Sequence, residues 1–433
     1  MTQPKPRYRT LDRWTRSRVS LDEQLPDDHP VRTLWQFTSQ LDFADFDADV
    51  KAVEGHPGKP PWPPQMLFTL WLFALIDGVC RARELARRCC RDLPYQWLCG
   101  GQRPDYHTLS DFHARHHDRI HQRFVEHVAV LRSQGLIRLQ RVALDGTKRP
   151  GNAGNASHHR EPTLQRHLQQ AEQLVREWEE GRVQAETLNA RQRAARQRAV
   201  RQRAERLRRA VQKVQQLQQA RQARKRSNAQ PEQARANEAD PDAVRMKQGD
   251  GGFRIGYNVQ TVTDAAHGLV VSTDVIAQGN DSGQLAVQLR KVKQEQGVLP
   301  EEVLLDSGYA TLADIEQVEQ AGTRVVMPPR DTKKDLKAGR DPYAKKKGDS
   351  VVLAAWRQRM GSEAAQQLYK QRSGLAEIIH ARMEQRKWLR FRLRGQQKVA
   401  TEGLWQALAH NVSRLLAWGW LLRGVGTVRA AVA

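Results

Sequence analysis

The sequence has little of what marks secreted or membrane proteins. It contains 4 cysteines in 433 residues, and all lie between Cys80 and Cys99 without the short paired gaps of a zinc site. We therefore expect buried free thiols, as in a reducing compartment. The longest apolar run, residues 66–76, is shorter than the about 20 residues that a membrane-spanning helix needs, and the N-terminus has no apolar signal segment. These absences predict a cytoplasmic protein.

Acidic residues are also scarce relative to basic ones. Lysine and arginine together number 71 against 48 acidic residues, which gives a formal net charge of +23. This excess is larger than solubility requires, and it favours a polyanionic partner, nucleic acid rather than an anionic membrane surface. A basic surface that only solubilises the chain is the alternative. The 39% of hydrophobic residues still suffices for at least one sizeable core.

Residues 1–140 predict an all-helical N-terminal domain. Prolines precede the apolar run at 66–76, which is typical of a buried helix. Further on, the pattern predicts one long helix that is capped at Thr108 or Ser110 and ends at Gly135. Short helices followed by a basic helix are typical of helix-turn-helix-like DNA readers. The histidines of the long helix, interpreted as surface or phosphate-contacting residues rather than metal ligands, are His113, His116, His117 and His121.

Residues 161–244 differ sharply in composition and predict a helical insertion. Apolar residues recur at spacings of three and four in two segments, which predicts helices that pack on another helix as a coiled coil. Between them, the arginines of a five-residue repeat advance about 140° per repeat and so encircle the helix. General affinity for phosphates and a low-complexity expansion without a role are both open interpretations. The stretch at 227–242 is interpreted as a polar linker.

Strand patterns surround this insertion. Residues 141–146 predict a first strand, residues 253–263 and 268–277 predict a hairpin, and a strand, a helix and a strand follow. This order predicts an α/β domain with a mixed sheet and flanking helices. A right-handed crossover would place the strand before Asp306 parallel to the first strand. If these two strands are neighbours, Asp145 and Asp306 emerge at the same edge of the sheet.

Two acids at one sheet edge repel each other unless cations compensate their charge. A divalent metal does this best, and oxygen-only ligands select Mg²⁺ or Mn²⁺ over zinc. Two such ions about 4 Å apart can activate a hydroxyl and stabilise the leaving oxygen in a phosphoryl displacement. A third carboxylate is then expected from a nearby helix. The candidates are Glu377, which would begin a helix after a break at Ser373 and Gly374, and Glu384.

Six blocks of the sequence, taken together, point to a known family. They are "CRDLPYQWLCGGQRPDYHTLSDFHARH", "VALDGTKRPGNAGNAS", "DGGFRIGYNVQTVTD", "VLLDSGYA", "YKQRSGLAEII" and "RFRLRGQQKVATEGLWQALAHNVSRL". With these blocks the chain resembles, over nearly its whole length, a DDE transposase of bacterial insertion sequences. Such a protein has an InsH-like helical N-terminal domain and a ribonuclease-H-like catalytic domain.

The resemblance implies a domain order. Residues 1–140 would form the DNA-binding domain, and residues 141–160 would hold the first strand and first catalytic acid of the ribonuclease-H-like domain. Residues 161–244 would form the arginine-rich helical insertion and its linker, between the first and second strands, where relatives carry a helical hairpin. Residues 245–433 would complete the catalytic domain and add C-terminal helices.

The resemblance also implies an activity, the cleavage and strand transfer of DNA by two-metal phosphoryl transfer. Asp145, Asp306 and Glu377 would be the catalytic residues and would hold two Mg²⁺ ions, for which Mn²⁺ can substitute. The substrate would be double-stranded DNA, both the terminal inverted repeats of the element and the target, and a homodimer would pair two ends. A bacterial cytoplasmic protein on the nucleoid, with no membrane partner, is expected.

Basic residues are the expected phosphate contacts. Trp388 or Phe391 would either stack on a flipped base or pack in the core, and Glu384 stands where relatives usually have a basic residue. Two other functions are open: a catalytically inactive, transposase-derived DNA-binding protein whose insertion mediates assembly, and a structure-specific nuclease of the same fold. The candidate DNA contacts are Lys148, Arg115, Arg119, Arg372, Arg382, Arg386 and Arg390.

Overall fold

The structure is a computed structural model that describes residues 20–48, 60–183, 187–223 and 230–419. The N-terminal helices are α1 (Leu21–Gln24), α2 (Pro30–Thr38), α3 (Ala44–Asp47), α4 (Pro64–Ile76), α5 (Ala82–Arg91), α6 (Leu93–Leu98), α7 (Tyr106–Ala114) and α8 (His117–Ser133). Two long helices follow, α9 (Glu161–Glu179) and α10 (Ala190–Gln222). The later helices are α11 (Gln284–Gln296), α12 (Leu312–Gln320), α13 (Thr332–Lys337), α14 (Val351–Gly361), α15 (Glu363–Lys370), α16 (Arg372–Gln385) and α17 (Gln396–Ala417). The strands are β1 (Arg141–Pro150), β2 (His158–His159), β3 (Ala236–Asn237), β4 (Val244–Lys247), β5 (Phe253–Asp264), β6 (Leu269–Ile276), β7 (Glu302–Leu304) and β8 (Arg324–Val326).

A mixed sheet of six strands organises the chain. β5 lies between β1 on one side and β6 with β4 on the other, and all of these neighbours are antiparallel to it. β1 also pairs in parallel with β7, which pairs in parallel with β8. The predicted α/β class with a mixed sheet is therefore confirmed, and the arrangement is consistent with a ribonuclease-H-like domain. β1 and β7 are the two strands predicted to be parallel neighbours.

Helix α17 joins the sheet to the N-terminal helices. It is buried along most of its length and packs on β6 as well as on α4, α7 and α8. Near its end, the Asn411 side chain exchanges two hydrogen bonds with the backbone of Val270 and so pairs with the edge of β6 that β5 leaves unpaired. One continuous apolar core therefore includes both regions. Every helix in the described ranges is too short or too polar to span a lipid bilayer.

The predicted long helix of the N-terminal region is two helices, α7 and α8. The cap of α7 is Asp105 rather than Thr108 or Ser110, because its carboxylate accepts hydrogen bonds from the first free backbone N–H groups of the helix. The chain then turns at His116, whose φ of 62° lies in the left-handed region where helices end. Gly135, with φ of 71°, follows the end of α8 as predicted.

Two residue types of the N-terminal region depart from the burial that we predicted. His113 is 5% exposed, and its ring lies 4.2 Å from that of Trp71 and 5.8 Å from that of Trp405. The prediction of a surface histidine is therefore wrong here, because this helix face meets α4 and α17. Among the free cysteines, Cys90 is exposed against the prediction, since its neighbour Cys89 takes the inward face of α5.

After β1 the chain leaves the sheet and forms a helical insertion before β5. α9 and α10 run antiparallel, because Glu161 contacts Gln215 at one end and Glu179 contacts Arg201 at the other. The pair has its own small apolar cluster, separate from the core of the sheet. A coiled-coil geometry for this pair stays a prediction. The buried residues of the cluster are Leu164, Ala171, Ala204, Leu207, Ala210, Val214, Ala234 and Ala236.

The stretch interpreted as a polar linker is in part a folded element. Residues 224–229 lie outside the described ranges, but β3 pairs with β2 and buries Asn237. The Asn237 side chain accepts hydrogen bonds from two backbone N–H groups of the next turn, and buried Asp240 accepts one from the hydroxyl of Tyr257. The linker interpretation is wrong for this part, because these polar side chains form a buried turn on the sheet.

Candidate active site

The register of β1 and β7 brings Asp145 and Asp306 together. Leu304, the last residue of β7, lies opposite Ala143 of β1. Two residues further along the chain come Asp145, which is still within β1, and Asp306, which lies just after β7, so the two acids lie side by side on the same face. The structure thus brings together the two acids that the sequence places 161 residues apart.

Arg372, at the start of α16, stands between the two carboxylates. Its Nη2 lies 3.1 Å from Oδ1 of Asp145 and 4.0 Å from Oδ2 of Asp306. The Arg372 and Asp145 side chains are 16% and 17% exposed, whereas Asp306 is 55% exposed. Asp145 is therefore the inner acid of the pair, and Asp306 is the one that solvent reaches.

One cation does not fully compensate the buried charge of Asp145. Burial raises the pKa of Asp145 from 3.8 to about 6, and Asp281 adds to the rise, although Arg372 acts in the opposite direction. The site therefore still favours further positive charge near this carboxylate. Oxygen-only donors that already converge on a cation fit a divalent ion of the Mg²⁺ or Mn²⁺ class.

Helix α16 begins earlier than we predicted, which changes the position of Glu377. The predicted break at Ser373 and Gly374 is wrong, because both residues lie inside α16 and the helix starts at Arg372. Glu377 then projects about 140° away from Arg372 around the helix. Its side chain is exposed, and the described ion pairs of Arg372 reach Asp145 and Asp306 but not Glu377.

His380 is the second residue of α16 that approaches the inner acid. Its Nε2 lies 3.7 Å from Oδ2 of Asp145 and 3.4 Å from the hydroxyl of Thr261 on β5. Burial lowers the pKa of His380 to about 3, so the ring is neutral at physiological pH. His380 therefore positions the carboxylate without adding charge. Sequence reasoning missed it, since a lone histidine on an apolar helix face carries no distinctive signal.

A polar network supports the acids from the other face of the sheet. The hydroxyl of Tyr309 donates to Gln260 at 2.5 Å, and Asp281 accepts from Gln260 at 2.8 Å and from Asn258 at 2.6 Å. The network joins the turn after Asp306 to β5. Gly283 is the N-cap of α11, and the Asp281 side chain points into the network instead.

Gly146, next to Asp145, allows this network to approach β1. A Cβ at this position would come within 3.0 Å of Asp281, Gln260 and Tyr309. The glycine after the first acid is thus required by packing rather than by a turn. Asp306 is also held locally, since its Oδ1 accepts from the backbone N–H of Gly308 at 2.9 Å.

The candidate DNA contacts lie in several places, and only Arg372 lies at the acids. Arg115 is exposed beside Asp111, and Arg119 lies 5.1 Å from the ring centre of Phe46. Lys148 is partly exposed on β1, and Arg382 is partly exposed on α16.

Arg386 and Arg390 lie at and beyond the end of α16. Arg386 donates to Ser413 at 2.5 Å, and Arg390 donates to the carbonyl of Gly151 at 2.7 Å. Neither of these arginines contacts the acids in the described structure. Their DNA contacts stay predictions.

The aromatic residues after α16 pack in the core. Trp388 and Phe391 are both 0% exposed, so neither ring is accessible to a base. Of the two interpretations, packing in the core is correct and stacking on a flipped base is wrong. The ring of Trp388 is covered by the guanidinium of Arg149 at 4.6 Å, and its Nε1 donates to buried Glu402. Arg149 also reaches Glu384 at 3.4 Å, so that acid has a partner on β1.

Comparison with known proteins identifies transposase sequences in both halves of the chain. Residues 225–412 match the family described as "Transposase DDE domain", and residues 19–115 match the family described as "Transposase domain (DUF772)". No curated protein and no solved structure matches the chain.

The chain therefore belongs to the DDE transposases of insertion-sequence type. The first match includes Asp306 and Glu377 but begins after Asp145. The position of Asp145 beside Asp306 is thus a separate observation from the structure.

Proposed function

We propose that this transposase cleaves DNA and transfers the freed strand, with Asp145, Asp306 and Glu377 as the acids that bind two divalent ions. The proposal is carried by one observation, the meeting around a single cation of Asp145 on β1 and Asp306 just after the parallel neighbour β7. Mg²⁺ is the preferred ion, and Mn²⁺ can substitute. When bound, the ions would activate the attacking hydroxyl and stabilise the leaving oxygen.

Glu377 lies close enough along α16 to serve as the third acid. It is one turn before His380, so the two side chains are neighbours on the helix surface, and His380 contacts Asp145. In this proposal the exposed side chain of Glu377 turns toward the other two acids when the ions bind.

Arg372 has two successive roles in this proposal. In the absence of DNA it neutralises part of the charge of Asp145 and holds the carboxylate in place. With ions and DNA bound, its guanidinium is released toward a phosphate, which is the contact that a planar, bidentate donor makes best. The Arg372 Nε has no hydrogen-bond partner in the described structure, so the side chain retains a donor for that contact.

The basic composition supports DNA as the partner. The net charge of +23 suits double-stranded DNA, both the terminal inverted repeats and the target. The residues proposed to contact phosphates are Lys148, Arg115, Arg119, Arg382, Arg386 and Arg390. A homodimer on DNA is proposed from the need to pair two ends, and association with the nucleoid is proposed because DNA is the partner.

Nicking of inverted-repeat DNA tests the proposed acids. Asp145→Asn, Asp306→Asn and Glu377→Gln are each expected to lower the nicking rate more than about 100-fold, because loss of a group that only orients a metal ligand already costs about 10–100-fold. Glu363→Gln, an exposed acid at the start of α15, is the matched control and should nick normally. Binding of the same DNA should be unchanged in all four variants.

A change of metal preference tests the ligand role directly. Asp306→Cys replaces a hard oxygen ligand by a softer thiolate, so the variant should lose activity with Mg²⁺ and regain part of it with Mn²⁺. Equal loss with both ions would contradict a ligand role for Asp306.

The same assay separates the two other functions. If the unmodified protein binds the repeats but fails to nick them with either ion, the inactive DNA-binding protein is correct. If it nicks repeat and scrambled DNA equally at fixed salt, it is a nuclease without end specificity.

A further inference from the structure

Three side chains that could ligate a metal meet where the insertion joins the sheet. His159 lies on β2, His167 lies on the first half of α9, and Glu238 directly follows β3. One ligand atom from each lies within 4.8 Å of the others. None of these residues belongs to the candidate active site, and no contact connects this cluster to Asp145 or Asp306 in the described ranges.

The distances are close to those of a bound transition metal. Oε2 of Glu238 lies 2.8 Å from Nδ1 of His167 and 3.9 Å from Nε2 of His159. Around a tetrahedral zinc ion with bonds of about 2.1 Å, ligand atoms are about 3.4 Å apart. Small rotations of the side chains therefore bring all three atoms to bonding distance from one centre.

The type of donor distinguishes this cluster from the carboxylate site. Two imidazole nitrogens and one carboxylate oxygen favour zinc or a similar transition metal, whereas oxygen-only donors favour Mg²⁺. The three side chains are 27%, 24% and 21% exposed, so an ion can enter and a water molecule can complete its coordination. Arg203 lies 3.5 Å from the other oxygen of Glu238 and leaves Oε2 available.

The cluster lies at the base of the insertion, where a bound ion would strengthen a weakly held junction. The insertion has only a small apolar cluster of its own, which is separate from the core of the sheet. β2 and β3 form a two-stranded sheet of their own at the base of the insertion, and an ion pair of 2.6 Å between Arg209 and Asp242 joins α10 to the segment after β3. An ion at this junction would tie the start of α9 to both short strands at once.

We propose that His159, His167 and Glu238 bind one zinc-class divalent ion that fixes helix α9 to the short strands β2 and β3 at the base of the insertion. The site is structural, and it is independent of the two ions proposed for catalysis.

Zinc titration of the metal-stripped full chain tests the proposal. Calorimetry should show one Zn²⁺ per chain at this site, and Asp145→Asn/Asp306→Asn should retain it, which separates the result from any failure of the proposed catalytic site. His159→Gln and His167→Gln should each weaken Zn²⁺ binding more than about tenfold. His107→Gln, an exposed histidine outside the cluster, is the matched control and should bind Zn²⁺ normally.

Arg203→Ala provides an effect of opposite sign. This substitution removes a positive charge beside Glu238 and should therefore tighten Zn²⁺ binding. If the histidines and Glu238 served only for packing and bound no metal, removal of Arg203 would give no such gain in Zn²⁺ affinity. Co²⁺ added to the unmodified chain should give the visible absorption of a tetrahedral site and lose it when Zn²⁺ is added. Absence of this absorption, or equal Zn²⁺ binding by both histidine variants and the unmodified chain, would overturn the proposal.

Discussion

The sheet region and the helical insertion are stabilised in different ways. The sheet shares one large apolar core with the N-terminal helices, and α17 is packed between them. The insertion has a small cluster in which five of the eight buried residues are alanines, and many of its charged pairs are exposed. The acids are therefore held by a rigid framework with a large apolar core. The insertion instead depends on a small apolar cluster and on its junction at β2 and β3.

The largest effect is expected from breaking the shared core. Trp405 of α17 is 0% exposed and its ring lies 5.0 Å from that of Phe68 on α4. Trp405→Ala should lower the free energy of unfolding by about 3–5 kcal/mol. Hydrogen exchange should show that α4 and β6 lose protection together, because one core serves both. Loss of protection in α4 alone would contradict a shared core.

A change in the insertion should act more locally. Leu207→Ala empties a fully buried position of the small cluster and should cost about 2–4 kcal/mol of local stability. In hydrogen exchange, α9 and α10 should open while β1 and β5 keep their protection. A matched loss of protection in β1 would mean that the insertion and the sheet unfold as one unit.

The sequence predicted the parts of this comparison that depend on local pattern. The apolar runs before Asp145 and Asp306 are visible as such, and the crossover rule predicts that their strands are parallel. That the two strands are neighbours, and that β1 continues past Asp145 to Pro150, comes from the structure. The network of Asp281, Gln260 and Tyr309 was not predictable, because it joins residues from three elements through side-chain hydrogen bonds. The ligand cluster of the insertion was not predicted either, because its members come from three elements and have no characteristic spacing along the chain.

The prediction of where α16 begins was wrong for a different reason. Ser373 and Gly374 are weak helix formers and predict a break, but tertiary packing overrides propensity here. Ala376, Ile379 and Met383 are buried on one face of the helix. Their burial keeps the helix intact through the glycine, so Glu377 faces outward and Arg372 and His380 face the acid.

Removal of the charge of Asp145 tests how much the buried carboxylate costs the folded protein. The pKa of Asp145 is about 6 against an ordinary 3.8, so above pH 6 its ionised form costs more in the folded than in the unfolded chain. Asp145→Asn should therefore stabilise the metal-free protein by up to about 3 kcal/mol at pH 8.

This gain should fade as the pH falls from about 6 to about 4, because the folded wild-type protein then takes up the proton first. Urea unfolding in EDTA at pH 8 and pH 4.5 measures the difference. Added Mg²⁺ should stabilise the wild-type protein but not the variant. An equal gain at both pH values would show that packing, rather than charge, is responsible.

The smallest effect is expected from an exposed ion pair of the insertion. Arg208 lies 2.9 Å from Glu172 across the two helices, but its side chain is 53% exposed. Water and salt screen such a pair, so Arg208→Ala should change the stability of the insertion by less than about 1 kcal/mol. Hydrogen exchange of α9 at low and at high salt measures this change. A larger, salt-dependent loss of stability would mean that ion pairs hold the insertion together. In that case Leu207→Ala should lower the protection of α9 and α10 less than we expect.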